Sequence, residues 1–155
     1  MDLIIRRATP KDIHRILEIQ KKAFIVQADK YDAYDIPPMV ETADEINLNS
    51  SKLVVLVAEI DGVIAGSIRI AYGEDDAEIK RLSVADNFQK QGIGSRLMNE
   101  AEKYCDSLAR IWLFTGGQSY ENINLYKKLG YTSYKEEHWK DNFTLIYLEK
   151  TKSTQ

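Results

Sequence analysis

Cysteine and histidine are scarce in this sequence, which has one cysteine, Cys105, and two histidines, His14 and His138, among its 155 residues. A single cysteine excludes an internal disulfide and fits a reducing compartment, so we expect a cytoplasmic protein. Two histidines far apart in the chain do not supply the ligand set of a His/Cys metal site. We therefore expect no bound metal.

Long apolar runs and excess positive charge are also missing. No apolar run reaches the about 18 residues that a membrane span needs, and the short apolar N-terminal run does not make a signal peptide. With a net charge of −3 there is no global basic field for a nucleic acid, so we expect neither a nucleic-acid nor a membrane partner. The length fits one domain, predicted over residues 1–150, with a frayed tail over 151–155.

The hydrophobic pattern predicts a mixed α/β order of elements. A first strand over 3–8 precedes a helix from Ile13 to Phe24, followed by a loop or broken helix over 26–39 and a short acidic helix over 41–48. Strands Leu53–Ile60 and Val63–Tyr72 flank an Asp-Gly turn, and a third consecutive strand, the fourth of the chain, follows over 77–84. A strand over 110–115, a helix over 119–129 and strands over 131–136 and 143–149 complete the chain.

The helix between the strands over 77–84 and 110–115 has the clearest periodicity. Its apolar stripe runs from Leu97 to Leu108 at helical spacing and includes Tyr104 and Cys105. Because Cys105 lies within this stripe, we interpret it as a small buried hydrophobic residue, which argues against a covalent acyl-cysteine mechanism.

A loop with two glycines opens that helix. It contains Gln89, Lys90, Gln91, Gly92, Gly94 and Ser95, and it follows a strand directly. A helix N-terminus carries unpaired N–H groups and a partial positive charge, so a loop without bulky side chains there suits a phosphate group. The loop is neither the three-glycine dinucleotide fingerprint nor a Walker loop. By itself the pattern fits either a turn or a phosphate site.

Two motifs together resemble the GNAT superfamily of acyl-CoA-dependent N-acetyltransferases. Residues 89–94, QKQGIG, resemble its Gln/Arg-x-x-Gly-x-Gly/Ala signature, and residues 119–131, SYENINLYKKLGY, resemble its Asn…Leu-Tyr-x-Lys-x-Gly-Phe/Tyr segment. The order of elements agrees over residues 3–149. The resemblance implies the GNAT fold, an α/β (α+β) domain. Its single mixed, mostly antiparallel twisted sheet has six to seven strands and about four flanking helices, and it is splayed between the fourth and fifth strands.

The same resemblance implies how acetyl-CoA, the expected cosubstrate, is bound. The loop from Gln89 to Ser95 holds the pyrophosphate, the strand end at Leu82, Ser83 and Val84 pairs with the pantetheine arm, and a backbone N–H near Leu82 polarises the thioester carbonyl. Where the family often has Asn, seven positions before Tyr126, this chain has Ser119, and Asn122 lies four positions before it. Either side chain fits a contact with pantetheine.

The implied reaction is transfer of the acetyl group to a primary amine by direct attack in a ternary complex. The amine must first lose a proton, and by resemblance Glu78 is the candidate general base, with ordered water as the alternative. Tyr126 corresponds to the general acid that protonates the leaving thiolate, since phenol and thiol have reference pKa values of about 10 and about 8.5.

Acidic residues concentrate after the first helix and bear on the choice of acceptor. Asp29, Asp32, Asp35, Glu41, Asp44 and Glu45 are interleaved with Tyr31 and Tyr34. These residues are typical of a solvated acidic face, but near a cleft they would attract a cationic amine, so Tyr31, Asp32 and Tyr34 are candidate substrate residues. The acceptor stays open among a polyamine-like or amino-sugar amine, a peptide N-terminus and a lysine side chain.

A rival interpretation is a catalytically silent module that binds or senses acyl-CoA. The presence of Tyr126 favours the enzyme. Members of the superfamily often form dimers, so the resemblance is compatible with a homodimer, and the sequence leaves the oligomeric state open.

Overall fold

The computed structural model describes residues 2–140 and 143–152, and within these it has one seven-stranded sheet and four α-helices. The strands are β1 (Leu3–Arg7), β2 (Leu53–Ile60), β3 (Val63–Tyr72), β4 (Asp76–Val84), β5 (Arg110–Gly116), β6 (Thr132–Lys140) and β7 (Phe143–Thr151). The helices are α1 (Ile13–Tyr31), α2 (Pro37–Val40), α3 (Ile93–Lys103) and α4 (Tyr120–Lys128), with short 3-10 turns at Pro10–Asp12, Ala43–Glu45 and Asp86–Phe88.

The strand order β1-β2-β3-β4-β5-β7-β6 is antiparallel except between β4 and β5. These two strands pair only from Asp76 opposite Arg110 to Glu78 opposite Trp112, and beyond Glu78 they separate. The mixed, mostly antiparallel sheet with a splay between its fourth and fifth strands is therefore confirmed. No helix in the described ranges has both the length and the apolar character to cross a membrane.

The central strands are apolar on both faces because a helix covers each face. On one face Leu56 and Ile68 pack with Leu97 and Met98 of α3. On the other, Val57 packs with residues of α1 that include Ile16 and Ile19. Burial on both faces is what an unbroken apolar strand predicts, and it makes the centre of the sheet a rigid support for the ends of β4 and β5.

Helix α1 is longer than the sequence predicts. The loop or broken helix expected from residue 26 is wrong for its first part, because α1 continues to Tyr31. Asp32, the next residue, has a left-handed conformation that ends the helix. Ala28 and Tyr31 are buried at 0% and 4% exposure, so tertiary contacts stabilise a segment with weak periodicity. The expected acidic helix over 41–48 is also wrong, since this stretch contains only the capped 3-10 turn Ala43–Glu45.

The ends of two elements in the second half of the chain, α3 and β7, also differ from prediction. Helix α3 ends at Lys103, where Tyr104 and Cys105 bond back to carbonyls three residues earlier, although Cys105 is fully buried as expected. The predicted frayed tail is wrong at its start, because Thr151 pairs with Arg110 in the sheet and Lys152 N–H bonds to the Ala109 carbonyl at 3.0 Å. Residues 153–155 of that tail lie outside the described residues.

Candidate active site

Two cavities open where β4 and β5 separate. The larger, about 630 Å³, lies between the end of β4, the glycine loop, α1 and the start of α4. The smaller, about 230 Å³, lies between β4 and β5 and is walled by α2 and the β6–β7 pair. Phe24, Gln27, Leu82 and Asn122 line both. A long ligand in the larger cavity therefore reaches the smaller one at these four residues.

The glycine loop presents an uncapped helix N-terminus to the larger cavity. Gly92 precedes α3 with φ 77° and provides no side-chain cap. The backbone N–H of Arg96 donates the first helical hydrogen bond, to the Gly92 carbonyl at 3.1 Å. The backbone N–H groups of the three residues before Arg96 therefore have no helical partner. A Cβ built on Gly92 meets nothing within 4 Å, and on Gly94 nothing nearer than 3.6 Å. The space in front of these amides fits a phosphate group.

Most of the predicted cofactor residues line the larger cavity. Leu82, Ser83, Val84, Gln89, Lys90, Gly92, Gly94, Ser119 and Asn122 do so, whereas Gln91 and Ser95 line neither cavity. The Gln89 side chain donates to the Val84 carbonyl at 2.8 Å, which ties the loop to the end of β4. Ser83 is buried, with its hydroxyl directed to the Arg81 carbonyl at 3.3 Å, so only its backbone is available to a ligand.

A bulge interrupts β4 beside both cavities. In the β3–β4 register Ser67 is opposite Ser83 and Arg69 is opposite Lys80, which leaves Arg81 and Leu82 without a β3 partner. Arg81 has φ 59°, a left-handed conformation that is uncommon for a residue with a long side chain. The bulge directs both residues toward the cavities: Arg81 lines the smaller one, and Leu82 lines both.

Glu78 lies at the point of separation and lines the smaller cavity. Its side chain is 16% exposed, and burial raises the pKa of Glu78 above its ordinary value. The positive charges of Lys80, with Nζ 4.0 Å from Glu78 Oε1, and of Arg81 only partly offset this rise in pKa. A carboxylate with a raised pKa is a better proton acceptor, which suits a general base.

Tyr126 reaches the smaller cavity from α4 and is 7% exposed. Burial raises the pKa of its phenol, so the hydroxyl stays protonated through the neutral range. Its ring packs edge-on against Tyr131, with centroids 6.2 Å apart. In the part of the chain that the structure describes, the Tyr126 hydroxyl has no hydrogen-bond partner, so its proton is available to a ligand.

A buried ionic cluster supports the bulge from behind. Arg69 of β3 makes two hydrogen bonds of 2.8 Å to Glu41 and a third of 2.8 Å to Gln20 of α1. Arg81 contacts the same Glu41 carboxylate at 3.5 Å. Burial raises the pKa of Glu41, but the hydrogen bonds from Arg69 and Gln20 outweigh burial and lower the pKa to about 2. The cluster therefore has two guanidinium groups and one carboxylate.

The end of α1 holds the loop that precedes α4. Tyr31 stacks on Phe143 with ring centroids 4.0 Å apart, and its hydroxyl accepts a hydrogen bond of 2.6 Å from the Gln118 amide. Lys30 donates to the Gln118 carbonyl at 3.2 Å. These contacts fix the entry to α4, which carries Asn122 and Tyr126.

The predicted substrate residues lie outside the two cavities. Tyr31 is buried against Phe143, and Tyr34 is exposed and donates to Asp29 at 2.7 Å. Neither tyrosine nor Asp32 lines either cavity. The reason is the extra length of α1, which turns the Tyr31 ring inward and carries the acidic stretch past the cavities.

Sequence reasoning missed Arg81, and it missed the cations Lys22 and Lys30 that line the larger cavity. The available signal for Arg81 was its place next to Lys80, as a pair of adjacent cations within the strand EIKRLSV. The left-handed conformation that aims it inward is set by tertiary packing and has no local signature. Among residues 2–140 and 143–152, no group of His, Cys, Asp or Glu side chains could hold a metal ion.

Comparisons with known proteins agree with this geometry. Residues 13–131 match the model of the acetyltransferase (GNAT) family. No curated protein sequence gives a significant match. Similar solved structures include the PaiA N-acetyltransferase of Thermoplasma acidophilum in complex with coenzyme A. It has a TM-score of 0.78 at 20% identity, over 98% of this chain and 100% of that one.

Two further structures show the same fold. The ribosomal-protein-alanine N-acetyltransferase of Brucella melitensis has a TM-score of 0.77 at 19% identity, over 96% of this chain and 99% of that one. The GNAT-family acetyltransferase of Streptococcus pneumoniae has a TM-score of 0.73 at 20% identity, over 97% of this chain and 99% of that one. Because the family model matches most of this chain and the sheet has the splayed topology, this chain belongs to the acetyltransferase (GNAT) family.

Proposed function

We propose that this protein is an N-acetyltransferase that moves an acetyl group from acetyl-CoA to a primary amine by direct attack in a ternary complex. One observation carries the proposal. A cavity with an uncapped helix N-terminus meets a smaller cavity that Glu78 and Tyr126 both line. The phosphates of the cosubstrate and the reacting groups then have separate, connected sites.

The residues present fit coenzyme A. The first-turn amides of α3 and the ammonium groups of Lys22 and Lys90 suit the phosphates, and the unpaired bulge at Leu82 suits an extended pantetheine arm. Asn122 lines both cavities and Ser119 only the larger one, which supports Asn122 as the residue that contacts pantetheine. Acetyl-CoA supplies the acetyl group as a thioester.

Glu78 accepts the proton that the amine loses. At pH 7 only about one lysine-like ammonium in a few thousand is deprotonated, so a base beside the amine removes a large part of the barrier. The raised pKa of Glu78 strengthens it as that base. The amine nitrogen then bonds to the carbonyl carbon, and the carbon–sulfur bond breaks.

The chain also stabilises the negative charges that develop on the thioester carbonyl oxygen and on the leaving sulfur. The Leu82 N–H, at the bulge, donates to the carbonyl oxygen as it becomes negative. Tyr126 gives its phenol proton to the departing sulfur, and solvent restores that proton. The nitrogen loses two protons in all, one to Glu78 before the attack and one to solvent after the carbon–nitrogen bond forms. Solvent returns one proton to Tyr126 and takes the proton from Glu78, so each turnover releases one proton.

A turnover assay tests the proposal. Acetyl-CoA is incubated with the protein and a broad panel of primary amines, and free CoA thiol is measured together with the mass of the acetylated product. We expect thiol release that depends on an amine and yields an N-acetyl product. Binding of acetyl-CoA without transfer to any amine would identify an acyl-CoA-binding module instead.

A further inference from the structure

The smaller cavity carries more positive than negative charge. Its charged lining residues are Glu78, Lys80 and Arg81. Behind the wall, Glu41 is shared by Arg69 and Arg81, so this pair of guanidinium groups faces a single carboxylate. One positive charge at the cavity wall is therefore left without a counter-ion in the described protein.

Arg81 carries that charge. Glu41 takes two short hydrogen bonds from Arg69, whereas its contact with Arg81 Nε is long, at 3.5 Å. No other hydrogen-bond partner of the Arg81 guanidinium lies within the described residues. A guanidinium group with free N–H donors beside a cavity is suited to a carboxylate, which it can bind through two parallel hydrogen bonds.

Arg81 serves the acceptor side of the site and not the cosubstrate phosphates. It lines the smaller cavity together with Glu78, and it is absent from the lining of the larger cavity that contains the glycine loop. The left-handed bulge directs it there. The two groups thus present a carboxylate and a guanidinium to the same small volume.

Most of the remaining wall is apolar and much of it is aromatic, with Gln27, Thr115 and Asn122 as its polar members besides the Tyr126 hydroxyl. Its apolar members include Phe24, Ile36, Pro38, Phe114, Phe143 and Leu145. The volume of about 230 Å³ lies below the range of about 300–1,000 Å³ that is usual for ligand pockets. Such a site fits one small molecule with an apolar side chain, and it disfavours a second ammonium group close to Lys80 and Arg81.

We propose that the acceptor is a free amino acid, or a close analogue, with an apolar or aromatic side chain. Its amine faces Glu78, its carboxylate binds Arg81, and its side chain packs on the aromatic wall. This inference rests on the proposed function. It replaces the polyamine-like acceptors suggested by the acidic stretch after α1, and a peptide N-terminus lacks the free carboxylate that Arg81 would bind.

Matched pairs of acceptors test the inference. Initial rates of thiol release are measured for phenylalanine against 2-phenylethylamine, leucine against isoamylamine, and methionine against 3-(methylthio)propylamine, with spermidine as the polycation. Each pair differs only in the carboxylate. Because a charge-assisted hydrogen bond contributes about 1.5–3 kcal/mol, we expect kcat/KM to favour the carboxylate member by about 10–100-fold.

Variants at Arg81 locate the effect. In Arg81→Gln the KM for the amino acid should rise about 10–100-fold with little change in kcat, and the preference over the decarboxylated amine should disappear. Arg81→Lys, which keeps the positive charge, should retain part of that preference for the amino acid. Arg15→Gln, on the outer surface of α1, is the matched control. It should leave kcat and KM unchanged for both members of each pair. Thermal unfolding with and without acetyl-CoA verifies that each variant folds and binds the cosubstrate.

Three outcomes would overturn the inference. The first is a wild-type rate with spermidine or a decarboxylated amine that equals or exceeds the rate with its amino acid. The second is an equal loss of kcat for both members of a pair in Arg81→Gln, which would assign Arg81 to the thioester. The third is acetylation of other amines but of none in these pairs, which leaves the proposed function intact. If no amine is acetylated, both this inference and the proposed function are overturned.

Discussion

At the scale of single residues, Glu78 and Tyr126 combine burial with exposure to a small cavity. Burial raises the pKa of both side chains, but the consequences are opposite. For Glu78 it makes the ionised form a better base, at a cost to the folded state. For Tyr126 it keeps the phenol protonated through the neutral range but makes it a weaker acid.

Glu78→Gln should lower kcat about 100-fold or more, because the amine loses its proton acceptor. It should also remove the acidic limb of the pH–rate profile. Because the folded-state pKa of Glu78 is raised, its ionisation costs stability as pH rises through that pKa. The glutamine variant should therefore equal or exceed the wild-type Tm at neutral pH. Unchanged kcat and an unchanged profile would assign the base role to water.

Tyr126→Phe should lower kcat by about 100-fold and keep the affinity for acetyl-CoA, since only the donated proton is lost. The free energy of unfolding should change little, because the hydroxyl has no partner in the described protein. The matched control is Tyr131→Phe. Its hydroxyl bonds to Glu102 at 2.9 Å, so this variant should lose about 1 kcal/mol of stability and keep its activity. Equal rates in both variants would remove the general-acid role.

At the scale of elements, the bulge of β4 depends on contacts from three other segments. Gln20 of α1, Arg69 of β3 and Glu41 after α2 form the buried cluster behind Arg81. Gly66 of β3 lies against the backbone of β4. The conformation that aims Arg81 and Leu82 at the cavities is therefore maintained by packing across the sheet.

Glu41→Gln should destabilise the protein by about 3–5 kcal/mol, because Arg69 is left buried without an anionic partner. Glu41 has a lowered folded-state pKa of about 2, so its contribution to stability is present above the ordinary carboxylate pKa. That contribution is lost as pH falls from about 4.5 toward 2. Denaturant unfolding as a function of pH measures both effects. The wild type should lose stability over this window more steeply than the variant, and parallel curves would contradict the assignment.

Two glycine substitutions should have opposite effects. A Cβ at Gly66 would lie 2.8 Å from the Ser83 carbonyl oxygen, so Gly66→Ala should push β3 from the bulge and cost about 1–3 kcal/mol. At Gly94 the nearest atom would be 3.6 Å away, so Gly94→Ala should keep or raise the Tm. It should instead weaken acetyl-CoA binding by obstructing the loop. Thermal unfolding measures the effect on stability, and calorimetric titration measures the affinity for acetyl-CoA. Unaltered affinity in Gly94→Ala would contradict the assignment of the phosphate site to this loop.

At the scale of the whole molecule, the sheet consists of two parts joined by the short β4–β5 pairing. Only three residue pairs connect these strands before they separate. A ligand in the gap contacts α1, β4, α3 and α4 together, through the residues that line the larger cavity. Its binding should therefore stabilise the fold globally.

Acetyl-CoA at about 100 times its Kd should stabilise the folded state by about 2.7 kcal/mol. For a chain of this length the Tm should then rise by about 5–10 °C. Differential scanning fluorimetry with acetyl-CoA, free CoA and adenosine measures the shift, and adenosine, which lacks the phosphates, serves as the control. No shift at saturating acetyl-CoA would contradict the assignment of the larger cavity.

Much of the fold could be predicted because its signals are local. The Asp61-Gly62 turn, the apolar runs of β2 and β3 and the stripe of α3 each lie within one stretch of sequence. Prediction failed for the end of α1, where Ala28 and Tyr31 pack against distant parts of the chain. It failed for the acidic helix over 41–48 because Glu41 instead bonds to Arg69 on β3.

The sequence by itself determined the order of the elements and the position of the glycine loop, since turn chemistry and hydrophobic period are properties of neighbouring residues. The resemblance to the family also predicted roles for Glu78 and Tyr126. Only the tertiary structure decided that Arg81 faces the same cavity as Glu78, and that Tyr31 holds the loop before α4. Those placements depend on a bulge and on contacts between residues far apart in the chain, whose geometry arises only when the sheet is assembled.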